Sequence, residues 1–335
     1  MPLATGYQPK SEVRLYVGTE TTFGTATIAG GTWKEYLVKE IGALPQFSVA
    51  AESIARRSGS FLESDGGVIQ NPCVFEGEIE VTFYATKDLL TALCGWAFED
   101  ASDPAVLTGA YVAPTTWNDA TAVGSALPVT LLFKDAGQVN DLKYTSCVCK
   151  RMEIMGDVTA DGGLWLAKAT FYTAYKPIEE DLDPSSAPTI DVSAVRKMCQ
   201  LITDGVTIDG EDQLISSFNV VIEREVGRLP IKTAATYVPF GYTMGPFIVT
   251  GSLHSPKTDA QTVKLIEESY DNTTVEIVLT ISTEASCAIT LESVKLDNSQ
   301  ITEDDQTLGI DFPFKALTLD SGGSTSDVFS LANGA

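Results

Sequence analysis

Apolar residues alternate with polar ones along most of the chain, in short runs rich in Val, Thr, Ile, Phe and Tyr. Alternation with a period of two is typical of strands that bury one face. Runs with the 3.6-residue period of a helix are few. The pattern therefore predicts a mainly β protein.

The alternation breaks in the same way at two places. In "CVCKRMEI", Cys147 and Cys149 are followed by Met152 and Ile154, so the apolar phase moves from odd to even positions. In "ITLESVKL", residues 289–296, a break of the same form follows about 142 residues later. Such a change of phase needs one surplus residue, which is the signature of a β-bulge.

Further matches indicate an internal repeat. "FSVAAE" at 47–52 aligns with "FNVVIE" at 218–223, and the strand pattern that begins at Gly77 aligns with the one at Gly251. Convergent patterning is the alternative, because any two β-sandwiches share alternation. The common order of the matches favours duplication, with a first module over 1–180 and a second over 181–335. A polar, proline-containing linker, "KPIEEDLDPSSAP", lies at this boundary.

Each module is predicted to contain one short helix. Thr86 precedes Leu89, Leu93 and Trp96, which are spaced to lie on one helical face. In the second half, residues 258–261 form a capping-box pattern ahead of a similar face. Each module thus reads as a β-sandwich or partial barrel with a single helix.

The first module contains a segment, near 97–128, that has no counterpart in the second. It is rich in Ala, Thr, Gly and Asp. Segments of this composition and length are typical of surface excursions. We therefore expect it to be exposed on the outside of the molecule.

The composition is that of a folded, strongly acidic protein. Of its 335 residues, 44% are hydrophobic. The chain has 22 Lys and Arg against 45 Asp and Glu, which gives a net charge of −23. Binding to phosphate backbones depends on cations, so tight nucleic-acid binding is not expected. The sequence shows neither a signal peptide nor a membrane-spanning apolar run, so we expect synthesis in the cytosol, with no membrane partner. The six cysteines are expected to be reduced and mostly buried.

Candidate catalytic and metal-binding residues are scarce. The single histidine, His254, occupies an alternating strand position and is predicted to face solvent. Cys147 and Cys149 share a strand face, where core packing is a simpler role than metal binding. Three acidic clusters lack the spacing of an EF-hand loop and are interpreted as solvated surface: 179–183, 204–212 and 303–305. No catalytic residue, metal or cofactor is predicted, and the chain is not expected to be an enzyme.

Two long connections carry basic residues in corresponding places of the repeat. The first arm spans 53–72 and the second 224–246. Basic arms on an acidic molecule favour docking onto another copy, since complementary charges steer association; a loose surface loop is the alternative. The candidate inter-subunit residues are Arg56, Arg57, Arg224, Arg228 and Lys232.

The N-terminal "LYVGTETTFGTAT" and "WKEYLVKE", the Gly77 strand before a short helix, and the C-terminal "ITLESVKL" and "DFPFKAL" resemble the tail tube proteins of long-tailed bacteriophages. The resemblance is to the kind whose subunit carries two tube modules. It implies a structural virion protein that forms rings, of three or six copies, around a continuous inner β-barrel. It also implies that stacked rings conduct double-stranded DNA, and that the long arm contacts the neighbouring ring.

The resemblance further implies a set of partners: a tape-measure protein that fills the tube before DNA passes, and tail terminator and tail-tip proteins at its ends. The resemblance also implies assembly in the cytoplasm of a host bacterium. It implies no catalytic residue. Two alternatives remain open at this point. One is a two-domain β-sandwich module that binds carbohydrate or a cell surface, for which Trp117 in the 97–128 segment is a candidate contact. The other is the tube of a contractile, sheathed tail.

Overall fold

The structure is a computed structural model. It describes residues 13–22, 27–28, 33–42, 44, 51–53, 68–70, 77–98, 105–108, 128–135, 141–175, 177–180, 205–232, 237–256, 270, 274–280, 287–297, 300–304, 307–317 and 327–333.

Strands dominate the described residues, so the predicted mainly β fold is confirmed. In the first half of the chain they are β1 (Val13–Thr22), β2 (Thr27–Ile28), β3 (Lys34–Glu35), β4 (Val38–Ile41), β5 (Ala51–Ser53), β6 (Val68–Gln70), β7 (Gly77–Tyr84), β8 (Ala105–Thr108), β9 (Val129–Asp135), β10 (Asp141–Asp157), β11 (Leu166–Thr173) and β12 (Ile178–Glu180). In the second half they are β13 (Val206–Ile208), β14 (Glu211–Gln213), β15 (Ser217–Lys232), β16 (Tyr237–Ser255), β17 (Thr274–Thr280), β18 (Cys287–Leu296), β19 (Gln300–Asp304), β20 (Thr307–Ala316) and β21 (Asp327–Asn333).

One continuous antiparallel sheet runs through both halves of the chain. Its strands lie side by side in the order β4, β7, β11, β10, β15, β16 and β20. The edge of β20 that faces away from β16 pairs with both β18 and β19. Among the described strands no pairing leads from the last of these back to the first. Within those residues the sheet is therefore open.

The sheet buries one face and leaves the other polar. In β7, Ile79, Val81 and Phe83 are buried, whereas Glu78 and Glu80 between them are exposed. The buried face continues across β11, β10, β15, β16 and β20 into a single apolar core. Burial of this face supplies the main driving force for the fold, because removing apolar surface from water is the dominant favourable term.

The predicted first helix is present as α1 (Lys87–Phe98). The Leu89 amide donates to Thr86 Oγ1 at 3.3 Å, so the threonine caps the helix as expected. Leu89, Leu93 and Trp96 are buried against the core, and the Trp96 ring makes an edge contact with Tyr36 at 5.5 Å. The predicted second helix, from residue 258, lies almost wholly outside the described residues.

Strand β10 changes partners along its length. Its first half pairs with β9 and β12, and its second half with β11 and β15. Lys150 is a surplus residue opposite β11, so the predicted bulge is confirmed. A second irregularity, which the alternation does not reveal, sets residues 145–146 opposite Thr130 of β9. Strands commonly turn the corner between two sheets through such bulges.

Strand β18 changes partners in the same manner. It pairs with β17, with β21 at its start and with β20 at its end. Residues 292–293 together face Glu276 of β17, so the bulge predicted in "ITLESVKL" is also confirmed. This bulge lies opposite β17, the strand that precedes β18, just as residues 145–146 lie opposite β9, the strand that precedes β10. It therefore corresponds to the irregularity at 145–146 and not to the bulge at Lys150, which lies opposite β11. The equivalence drawn from a spacing of about 142 is therefore wrong.

The 97–128 segment is not wholly an exposed excursion. Residues 105–108 form β8, which pairs antiparallel with β21. Ala105 and Leu107 are 0% and 6% exposed, and Phe98 at the end of α1 is buried as well. The expectation of an exposed segment is wrong for these residues, because the short alternating run "AVLT" closes one side of the core. Residues 99–104 and 109–127 lie outside the described residues.

Two deletion variants distinguish the contribution of β8 to stability from that of residues 109–125. Removing residues 109–125 is expected to leave stability unchanged. Removing residues 100–125 also takes away β8 and is expected to lower the free energy of unfolding by at least about 2 kcal/mol, the scale for burying one leucine. Urea denaturation of the two variants measures the difference. Equal midpoints would contradict a structural role for β8.

Candidate assembly surfaces

The face of the main sheet that points away from the core carries charges of both signs. Among its described side chains the acids are Glu40, Glu78, Glu80, Glu153, Asp157, Glu223 and Asp311, and the cations are Lys150, Arg151, Lys168, Lys295 and Lys315. We call this surface the polar sheet face. Its acids outnumber its cations, in keeping with the net charge of −23.

Three of these cations are held by carboxylates on neighbouring strands or on the same strand. The pairs are Lys150 Nζ with Glu78 Oε1 at 2.6 Å, Lys168 Nζ with Glu80 Oε1 at 2.9 Å, and Arg151 with Glu153 at 3.1 Å and Glu223 at 3.9 Å. Exposed pairs of this kind add at most about 1 kcal/mol each to stability. Their larger effect is on the surface potential, because they neutralise the charges of Lys150, Arg151 and Lys168.

The single histidine lies at one end of the polar sheet face. Its Nδ1 is 2.6 Å from Asp311 Oδ1, and its side chain is only 19% exposed. The ring packs so closely on Gly309 that a Cβ there would lie 2.6 Å from a ring carbon. His254 thus lies on the solvent face of the sheet, as predicted, but its ring is largely buried because it packs over Gly309 of β20.

Cys94, Cys147 and Cys149 are buried in the apolar core. Burial raises the pKa of Cys149 to about 12 and that of Cys147 well above its ordinary value. A nucleophilic cysteine needs a lowered pKa. Cys147, Cys149 and Cys94 therefore behave as core residues, as predicted for the first two.

Residues 204–212 include one of the acidic clusters predicted to be solvated. There β13 and β14 form a hairpin whose Asp209 and Gly210 adopt φ angles of 52° and 77°, which is the Asp-Gly turn that favours such hairpins. In the described ranges, no group of three or more His, Cys, Asp or Glu side chains is arranged to hold a metal ion. None of the helices in those ranges is long and apolar enough to cross a membrane.

The second basic arm is a two-stranded ribbon formed by β15 and β16. Their pairing continues beyond the body of the sheet, with Arg228 opposite Tyr242 and Lys232 opposite Tyr237. Arg224 lies at the base of this ribbon and is only 4% exposed. Its guanidinium carbon is 4.8 Å from the centre of the Phe247 ring, a cation–π geometry. In the subunit Arg224 thus anchors the base of the arm.

A buried tyrosine fixes the same ribbon to the first half of the chain. The Tyr242 hydroxyl donates to the Ser146 carbonyl at 2.9 Å and accepts from the Ala174 amide at 3.0 Å. Its ring packs edge-on against Tyr172 at 5.3 Å. Burial raises the pKa of Tyr242 well above its ordinary value, so the hydroxyl keeps its proton. The direction in which the arm leaves the body is set by these contacts.

A buried carboxylate stabilises the corner to which the arm is fixed. Glu20 of β1 is 3% exposed and accepts from the Ser146 amide at 2.7 Å, the Ser146 hydroxyl at 2.8 Å and the Thr130 hydroxyl. Ser146 has a φ of 49°, a left-handed conformation that only a well-determined environment maintains. Neither Glu20 nor Tyr242 was identified from the sequence, because their partners are distant along the chain.

The first basic arm begins as a hairpin. β5 pairs with β6, with Glu52 opposite Ile69. Arg56 and Arg57 fall between these strands, outside the described residues. For these two residues, as for Arg224, Arg228 and Lys232, docking onto another copy stays a prediction.

Comparison with known proteins gives one informative result. A family model described as phage tail tube protein matches residues 10–316. A search of curated proteins returned no match. The family match covers most of the chain, including the main sheet, α1 and the β15–β16 ribbon, and it confirms the resemblance seen in the sequence. The chain belongs to the phage tail tube protein family.

Proposed function

We propose that this chain polymerises into stacked rings that form the phage tail tube, and that the tube conducts double-stranded DNA during infection. The family match over residues 10–316 carries the proposal, because members of that family are structural components of the tail. Each chain contributes two tube modules, divided near residue 180. Three chains then supply six similar units to a ring.

The way the two halves join inside one chain supports this assembly. β10 of the first half and β15 of the second pair antiparallel, edge to edge, from Arg151 opposite Glu223 to Asp157 opposite Ser217. The same kind of joint between chains would extend the sheet around a ring. Closure of the sheet also removes its exposed edges, which otherwise template aggregation.

The polar sheet face is proposed to line the channel. Its opposite face is covered by the core and by α1, which leaves it as the side of the curved sheet with room for a passing polymer. DNA binds proteins by exchanging its counterions for Lys and Arg. Cations that are already paired with Glu78, Glu80 and Glu223 release few counterions from DNA, so they bind it weakly. DNA therefore slides through without being retained.

The remaining partners follow from the tube. A tape-measure protein occupies the channel before DNA passes, and tail terminator and tail-tip proteins bind the two ends. Assembly takes place in the cytoplasm of the host bacterium. The role is structural and requires no cofactor.

The channel proposal is tested by changing three carboxylates to amides. Tubes of the variant E78Q/E80Q/E223Q are expected to retain linear double-stranded DNA at low salt and to release it as salt rises. Lys150 and Lys168 lose their carboxylate partners in this variant, and Arg151 keeps only Glu153. Co-sedimentation of labelled DNA with tubes measures retention. Wild-type tubes should retain little.

A matched control has the same change in net charge at exposed acids of the β13, β14 and β17 region: E211Q/D212N/E276Q. It should behave as wild type. If tubes of the first variant release DNA as readily as the control, the polar sheet face does not line the channel.

A further inference from the structure

Each half of the chain contains a second row of paired strands, which includes the start of its bulged strand. In the first half the order is β1, β9, β10 and β12. In the second half it is β13, β17, β18 and β21. By these pairings β12 and β21 hold corresponding places at the outer end of each row. The two strands differ in what lies beside them.

The outer strand of the first half is short and charged. β12 consists of Ile178, Glu179 and Glu180. Among the described strands none pairs with the edge of β12 that faces away from β10. Natural proteins commonly protect an exposed edge from other chains by making it short and charged. The sequence of β12 is therefore suited to an edge without a cover.

The outer strand of the second half is longer and apolar. β21 has seven residues, of which Val328, Phe329 and Leu331 are at most 7% exposed. The run "VFSLAN" at 328–333 contains neither a charge nor a proline. Uncharged segments of about six or seven residues with high strand propensity are the usual signature of sequences that pair with copies of themselves. An open edge on β21 would therefore favour aggregation.

That edge is covered by β8, which comes from the first half of the chain. β8 pairs antiparallel with β21, with Ala105 opposite Leu331, while β18 occupies the other edge of β21. Phe98, at the end of α1, adds a contact to the Phe329 ring, whose centre is 6.0 Å away. β21 thus has a partner strand on both edges.

We propose that β8 is an edge guard: it occupies the outer edge of β21 and so prevents that edge from pairing with a second copy of this chain. The 97–128 segment, which supplies β8, has no predicted counterpart in the second module. The charged sequence of β12 explains why none is needed there. The proposal concerns the single subunit, so its failure would leave the proposed tube function standing.

Replacing β8 with glycine and serine, in the variant A105G/V106S/L107G/T108S, tests the guard. Glycine is depleted in strands, and neither residue carries enough apolar surface to hold the segment on β21. The variant is expected to shift from the monomers or hollow tubes of the wild type to irregular aggregates. Sedimentation velocity and negative-stain images, taken at equal protein concentration, measure the shift.

Adding Ser330→Lys to this variant is expected to suppress the aggregation. Ser330 lies within β21, and its side chain is partly exposed. A lysine at this position brings like charges together when two copies pair through the strand, and natural edge strands are protected in the same way. Because a lysine does not restore the apolar contacts of β8, suppression would assign the aggregation to the open edge.

Two further variants separate the loss of the guard from a general loss of stability. Val106→Pro weakens the pairing of β8 but keeps its apolar residues Ala105 and Leu107, and it should aggregate even if the quadruple variant fails to fold. Glu20→Ala destabilises the corner of the first half, leaves β8 in place and should not aggregate. The proposal is wrong if both β8 variants behave as wild type, if Glu20→Ala aggregates as they do, or if Ser330→Lys suppresses nothing.

Discussion

Reversing the charge of the first basic arm, with Arg56→Glu and Arg57→Glu, is expected to give a folded subunit that forms no tubes. The arm lies on a molecule with a net charge of −23. Arginines that attract an acidic neighbour become glutamates that repel it, and like charges at an interface cost several kcal/mol. Circular dichroism should remain that of wild type, while negative-stain images show no filaments.

The control for this prediction makes the same change in net charge elsewhere. Lys34→Glu with Lys39→Glu alters two exposed lysines of β3 and β4 and should leave tube formation intact. If the Arg56 and Arg57 variant forms filaments of wild-type length, the arm does not take part in the contact between stacked rings. Loss of filaments in both variants would point to net charge as the cause.

Replacing Glu20 with alanine is expected to lower the free energy of unfolding of the monomer by about 3 kcal/mol. The substitution leaves the Ser146 amide and two hydroxyls without their buried acceptor, and each unsatisfied buried group costs roughly 1–3 kcal/mol. It also removes the interactions that stabilise the left-handed backbone of Ser146. Urea denaturation checks the value.

Glu276→Ala is the matched control for Glu20. Glu276 is exposed and faces the corresponding bulge of β18. Its replacement should change stability by no more than about 0.5 kcal/mol. Equal effects of the two substitutions would show that the buried carboxylate does not stabilise the corner.

Local patterns in the sequence were sufficient to predict the local elements. Alternation predicted the strands, the Thr86 cap predicted α1, and a change of phase predicted both bulges. Each of these depends on residues that are close along the chain. The bulge at 145–146 does not follow from the alternation, because β10 is buried on both faces there and its polar Thr145 and Ser146 are buried together with the apolar residues around them.

Features that depend on distant partners could not be predicted. Glu20 hydrogen-bonds to Ser146, and Tyr242 hydrogen-bonds to Ser146 and Ala174. These contacts form only because folding brings distant parts of the chain together. The burial of Arg224 against the Phe247 ring is likewise not predictable from "REVGR", because Phe247 lies on the neighbouring strand. The β8 strand was hidden by the composition of the segment around it.

The proposed tube can be seen directly by negative-stain electron microscopy of the purified chain. We expect hollow filaments or rings whose class averages show three-fold symmetry, as three two-module subunits in each ring require. Monodisperse monomers at high protein concentration, even with tail-tip proteins added, would contradict it.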